Sequence, residues 1–468
     1  MQSTGLLQPD LRIEGRTSFY QEGWPAGRAA GGRVLRESTP VQIDHLLRRA
    51  GFGADRETLN EYERLGVDGA IQRLLDYEKV DDPADLIAPP QFSLGLGGQV
   101  RNAVAELQQW WLKRMAASKR PLLEKMVYFW HGHLTSAISK VREPELMRRQ
   151  NEFFRQNALA SFDTILKGIS RDGAMMVYLD NITNRKQHPN ENYARELMEL
   201  YTLGIGNYTE QDVKESARAF TGWTINRRTG EFTVDQRQHD TGPKTFLGQT
   251  GKFDGDGVVD AIVRHPAAGP YLARKLFSFL AYPNPDPEVV QPVSDAYYAS
   301  GFSIKEMVRA ILTSDAFFSE RAYRARVKSP TEFILGIVRA LGLRPDFNGV
   351  PGAMIGMGQV LFEPPSPAGW PGGPVWINTS TWMQRMNFLH LLVNVKPEDA
   401  SSQPSLLQGM SGKPAEAFVD TLVGLLLDGN ISKGSREALL SFAGGRLTPA
   451  SARDVVYLVL GTPEYQLA

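Results

Sequence analysis

Apolar residues recur at helical spacing along most of this chain, broken at intervals by proline and glycine, and no other feature constrains its fold as much. The pattern starts near Val41 with Leu46, Leu47, Leu59 and Tyr62, and it returns repeatedly up to the C-terminus. Spacing of this kind buries one stripe of each helix and predicts a mainly α, multi-helical fold. Gly51-Phe52-Gly53 reads as a turn, and Gly66 as the end of the helix after it. Val100 to Ser118 predicts an amphipathic helix bearing Trp110 and Trp111. Pro121 suits a first helical turn and opens a helix that ends in Phe129-Trp130-His131-Gly132-His133. Glu143 to Gln156 and Ser161 to Gly168 continue the series, and Thr209 with Asp212 forms a capping pattern for a helix up to Gly222. The period changes only around 223–235, where Trp223 to Val234 alternates about Arg228-Thr229-Gly230 and predicts one small β-hairpin. Helical spacing resumes from about Asp254 to Leu343. Asp254 and Asp256 lack the spacing of a calcium loop and read as helix caps.

This organisation suggests an extended arm over 1–40, a main helical domain over 41–345, and a C-terminal helical lobe over 346–468 packed on it. One internal repeat supports two lobes: Ser303 to Phe317 aligns without gaps to Ser451 to Tyr465, each copy a capped amphipathic helix followed by a turn and an aromatic. Two copies fall short of a solenoid, which needs about three or more units. Segments rich in proline and glycine interrupt the helices at Pro89 to Gly98 and Glu363 to Pro374. The second carries Trp370, whose loop is placed either to wall a pocket or to pack on the core.

Composition removes several classes of function. Lysine plus arginine and aspartate plus glutamate number 52 each in 468 residues, which leaves no basic excess for general nucleic-acid binding. The absence of cysteine excludes disulfides, thiolate metal sites and a cysteine nucleophile. No apolar run reaches the roughly 18–20 residues of a spanning helix. Residues Met1 to Pro40 lack the apolar centre of a secretion signal, so the sequence reads as cytoplasmic.

The residues with the most chemical potential lie between Phe129 and Leu203. His131 and His133 flank a glycine, and an extended helix exit there would turn both imidazoles to one side, as metal chelation requires; in the alternative, Trp130 and His131 pack in the core and His133 caps the helix end. A helix over Asn190 to Gly204 sets Tyr193, Leu197 and Leu200 in an apolar stripe. Asn192, Glu196 and Glu199 lie on the adjacent strip, and Glu191 pairs with Arg195 one turn on. Glutamates at the edge of a buried stripe need a partner, a proton or a cation, which makes Glu196 and Glu199 candidates for a base or a carboxylate ligand. The structural alternative is ion pairing with Arg148, Arg149, Arg155 or Arg218. His239 is the candidate third imidazole, and Trp130, His188, Glu191, Asn192, Arg195 and Trp370 are candidate pocket residues. The leading expectation is a divalent-metal-dependent enzyme, either hydrolytic or oxidative. A non-catalytic helical scaffold that binds a partner is the alternative, and a carbohydrate binder using Trp370 and Trp376 is the weaker one.

Several ordered stretches from His45 onward resemble the family catalogued as domain of unknown function 1800 (DUF1800). They are Leu46-Leu47-Arg48-Arg49-Ala50-Gly51-Phe52-Gly53, Phe129-Trp130-His131-Gly132-His133, Pro189 to Leu200, Ala217 to Trp223, Val327-Lys328-Ser329-Pro330, and Gly369-Trp370-Pro371-Gly372-Gly373. The resemblance supplies no established activity. It implies that relatives are often exported and encoded beside a second uncharacterised family, so the product of a neighbouring gene becomes a candidate partner. Relatives often carry histidine where this chain has Tyr201, a departure that weakens any site needing a ligand there.

Overall fold

The computed structural model describes residues 39–95, 100–394 and 414–468. The arm expected over 1–40 therefore lies almost wholly outside the described residues. The protein is mainly α, with two small two-stranded antiparallel sheets among the described residues.

Local chemistry explains most helix boundaries. Asp55 caps the helix Arg56–Leu75 by accepting the Thr58 N–H at 2.8 Å. Gly66 does not end that helix. At φ +66° it kinks the backbone, and the helix resumes beyond it. Val100–Ala117, Pro121–His133 and Pro144–Gln156 form as expected, with Pro121 and Pro144 in first turns where no N–H is missed. Thr209 and Asp212 complete a reciprocal capping box for Glu210–Ala219. Asp254 caps Gly255–Arg264 through the Gly257 N–H, which is a full account of that acidic stretch.

The expected hairpin pairs Trp223–Ile225 with Phe232–Val234 in the register Trp223 to Val234. A second hairpin, Lys244–Phe246 with Gln249–Gly251, is not signalled by the sequence. Its two-residue turn puts Leu247 at φ +46° and Gly248 at φ +77°. Turns of that kind usually announce themselves with Asn or Asp at the first position, and leucine hides this one.

The helix Pro121–His133 runs through the middle of the core, with every residue except Gly132 buried. It packs on Pro144–Gln156, with Trp111, Trp130 and Phe162 filling the surrounding space. The two copies of the internal repeat match best at their ends. Ser303 caps Ile304–Leu312, whereas Thr448, three residues before Ser451, caps Pro449–Leu460. Phe317 and Tyr465 are both buried after the turn. The C-terminal helices are tied to the rest by Asp428, which pairs with Arg48 at 2.6 Å and Arg324 at 2.9 Å and accepts from the Tyr323 hydroxyl at 2.7 Å. Among the described residues no helix is long and apolar enough to cross a membrane.

Candidate functional site

The helix bearing His131 and His133 does not unwind at Gly132. Leu134 N still bonds to Trp130 O at 2.7 Å, so the two imidazoles leave a regular helix about 200° apart. His131 lies between Trp111, Phe154 and Phe362, with ring centroids 4.7, 4.9 and 5.2 Å away. Its Nε2 accepts from the Asn151 amide at 3.0 Å. Burial, reinforced by the Arg155 charge, depresses its pKa to about 3. His133 stacks on Phe129 with centroids 5.4 Å apart, and its Nε2 donates to the Tyr201 carbonyl at 2.9 Å. Burial and the nearby Lys275 charge bring it to about 3 as well, against the pull of that carbonyl. His239 donates from Nδ1 to the Thr221 carbonyl at 2.8 Å, and His188 is exposed in a turn. The structure thus does not bring the three imidazoles to one point. Among the described residues no group of three or more His, Asp or Glu could hold a metal ion.

The glutamate-bearing segment departs from the expected α-helix. Asn192–Glu196 forms one α turn, and Leu197–Thr202 continues as a π-helix that closes with Leu203 N to Met198 O at 2.9 Å. A π turn is rare and often sits at a functional site. The carbonyls at its end need outside donors. His133 serves Tyr201 O, the Tyr271 hydroxyl serves Leu200 O at 2.6 Å, and the Asn207 amide serves Leu203 O at 2.9 Å. His133 therefore does meet the glutamate segment, but as a main-chain cap. No sequence signal distinguishes that role from a ligand's.

The arginines expected to neutralise Glu196 and Glu199 are engaged elsewhere. Arg148 and Arg149 bind Glu145, Arg155 binds Glu124 and Glu152, and Arg218 binds Glu215 and Asp240. Arg195 holds Glu191 at 3.3 Å and Glu210 at 2.7 Å. Glu199 accepts from the Tyr208 hydroxyl at 2.8 Å. Half-buried Glu196 has no hydrogen-bond or ion-pair partner among the described residues. Burial and the Glu199 charge raise its pKa above the usual carboxylate range, against a smaller effect of Arg195. Tyr178 and Tyr201 lie close enough to feel the Glu196 charge.

The loop of Trp370 adjoins this region. The Pro367 carbonyl accepts from Thr135 Oγ1 at 2.9 Å, and Glu363 accepts the Ser139 N–H at 2.8 Å. Trp370 stacks on Tyr128 with centroids 5.8 Å apart, and its indole N–H is buried without a partner. Trp130 is a core residue whose Nε1 donates to Ala158 O at 2.9 Å. Asn192 donates to Leu179 O at 3.3 Å, a structural contact. The sequence singled out Tyr201 only as a departure from its relatives, and held no signal that Tyr178, at the end of the helix Gly173–Tyr178, or Tyr208 would stand near the carboxylates.

A helical protein with an unpaired carboxylate just before a π turn is the class that fold and site define. The family model described as "Protein of unknown function (DUF1800)" matches residues 45–467, nearly the whole chain, and the protein belongs to that family. No curated protein and no solved structure matches it.

Proposed function

We propose that the protein binds a small polar molecule at Glu196 and Glu199 and transfers a proton through Glu196. One observation carries this reading: Glu196 is half-buried and unpartnered while every arginine that could neutralise it is committed elsewhere. A structural carboxylate in such a setting is normally paired. The two glutamates divide the work of an acid–base pair. Burial and its neighbour favour the protonated form of Glu196, while Glu199 is fixed by Tyr208. A bound hydroxyl or amine would supply the hydrogen bonds that Glu196 lacks. A metal-dependent form of this chemistry would take a hard divalent cation held by these carboxylates and water, with His131 and His133 outside the ligand set.

Carbon-detected NMR titration of the glutamate carboxyls tests the reading, with Glu196→Gln and Glu199→Gln used for assignment. Glu196 should titrate above the ordinary glutamate range and move down in Glu199→Gln. Ordinary titration in both proteins defeats the proposal. The partner-binding alternative draws on a different observation, the exposed apolar side chains of Ile355, Val375 and Met383. Stoichiometric co-purification of the neighbouring gene's product, lost on changing Met383→Glu, would favour it.

A further inference from the structure

A cleft opens between the segment Tyr77 to Pro89 and the helices Val100–Ala117, Pro121–His133 and Pro144–Gln156. Its open space is about 440 Å³, inside the roughly 300–1,000 Å³ usual for small-molecule sites. Ile87, Pro89 and Leu123 give it an apolar wall, and the guanidiniums of Arg114, Arg120 and Arg155 line the rest together with three acids.

The short turn Pro83–Leu86 builds the arginine side. Asp82 caps that turn by accepting the Ala84 N–H at 3.0 Å, and Arg114 reaches its end. The Arg114 side chain is only 8% exposed, yet one of its contacts alone is short. Nη1 donates to Ala84 O at 2.8 Å, but Ile87 O is 3.5 Å away and Asp85 Oδ1 lies 3.4 Å from Nη2. Nε has no hydrogen bond, and its nearest carboxylate, Glu124, is 3.6 Å away. A guanidinium in register with a carboxylate donates at about 2.7–2.9 Å. Arg120 donates from Nε to Val80 O at 2.7 Å and meets the other oxygen of Asp85 at 3.1 Å. Asp85 therefore spans two guanidiniums with long contacts to both, and its side chain is 51% exposed. Arg155 differs, with Glu124 at 2.7 Å and Glu152 at 2.8 Å. A buried guanidinium served as thinly as Arg114 is costly to the fold.

We infer that the cleft binds a small monocarboxylate, whose two oxygens displace Asp85 and bridge Arg114 and Arg120. The guest brings the group that Asp85 takes away, so the charge balance of the cleft is kept. Its carbon body lies on Ile87, Pro89 and Leu123, and the released Asp85 turns to water. Paired N–H donors fixed by other contacts suit planar carboxylate recognition. A phosphate would carry a second charge toward Glu78 and Glu152, which also line the cleft. Asp85 competes with the guest from within the chain, which lowers the apparent affinity. The cleft shares no residue with the Glu196 region and stands or falls independently of it.

Ligand-observed NMR on the whole protein at pH 7.5 tests this with butyrate, leucine and inorganic phosphate, the ionic strength being held by chloride. Butyrate or leucine should bind more tightly than phosphate. Binding of butyrate alone supports a simple acid, and binding of leucine alone supports an amino acid whose ammonium meets Glu78 or Glu152. Asp85→Asn removes the competitor and should tighten binding at least several-fold, whereas Arg120→Gln should weaken it by a similar factor. Glu78→Gln removes an equal charge that touches neither arginine, so its effect should be much smaller. No binding of either carboxylate, tighter binding of phosphate, or equal tightening in Asp85→Asn and Glu78→Gln overturns the inference. Unchanged binding in Asp85→Asn, shown folded by circular dichroism, also overturns it.

Discussion

Gly369 lies directly against the carbonyl oxygen of Gly132, so close that a Cβ at position 369 would overlap it. In return, a Cβ on Gly132 would sit 3.4 Å from Cε3 of Trp370. The two glycines dock the Pro/Gly-rich loop on the helix that carries His131 and His133. Gly369 is also at φ +88°, where any other residue is strained. Gly369→Ala should therefore destabilise the protein by about 2 kcal/mol or more, through backbone strain and overlap together. Urea denaturation checks this. An effect near zero would mean that the loop is not docked in solution.

His131 and His133, two of the three imidazoles buried among the described residues, make stability depend on pH. Both are depressed to about 3 in the folded protein, whereas the unfolded chain takes up protons near 6.5. Their contribution is complete above 6.5 and is lost as pH falls from there toward 3. Each costs about 2 kcal/mol by pH 5. Asp172, raised by burial to about 6, runs the other way, since the folded state keeps its proton where the unfolded one releases it near 3.8. Asp44, also raised by burial, acts with Asp172, while His45, held well below the ordinary histidine range by burial, acts with the other two imidazoles, so the imidazoles prevail. Unfolding free energy should be lower at pH 5 than at 7.5, and His133→Gln should narrow that difference by about 2 kcal/mol while its amide still serves Tyr201 O.

A buried ion pair gives a separate test of the core. Lys125 meets Glu332 at 2.6 Å with both side chains almost fully buried. Burial works against the Glu332 carboxylate, yet Lys125 and Arg326 outweigh it and hold its pKa low. Burial lowers Lys125 to about 8, with Glu332 resisting, so the pair is ionised at neutral pH. Lys125→Met leaves the buried Glu332 carboxylate only the longer 3.6 Å pair with Arg326 and should cost up to roughly 3–5 kcal/mol, the range for a fully stranded charge. Adding Glu332→Gln removes that charge but keeps the acceptor for Ser329 N–H, so the double variant should recover much of the loss in chemical denaturation.

Helices with a side-chain cap or a first-turn proline were legible because their determinants are local, as with Thr209 and Asp212 or Pro121. The hairpin at Leu247-Gly248 was not legible, because its turn lacks the usual polar residue. The histidines misled for another reason. A His-Gly-His sequence reads the same whether the helix frays or continues, and here it continues through His133, with Gly369 and Trp370 packed on Gly132. The pairing alternative for Glu196 and Glu199 was partly legible, since Glu145 lies three and four residues before Arg148 and Arg149, whereas Arg155 meets Glu124 only through the fold. The π turn that follows Glu196 has no sequence signature at all.

That unpartnered carboxylate makes one further prediction, about stability. A side chain retained for function at a cost to the fold should stabilise the protein when its charge is removed. Glu196 is disfavoured by burial and by the Glu199 charge, with only weak help from Arg195. Glu196→Gln keeps the shape and removes the repulsion, so the melting temperature at pH 7.5 should rise by roughly 1–2 °C. Glu191→Gln is the control, because it breaks the 3.3 Å pair with Arg195 and should leave the melting temperature unchanged or lower it slightly. A fall in melting temperature for Glu196→Gln would mean that its carboxylate supports the fold, and the acid–base reading of this site would lose its footing.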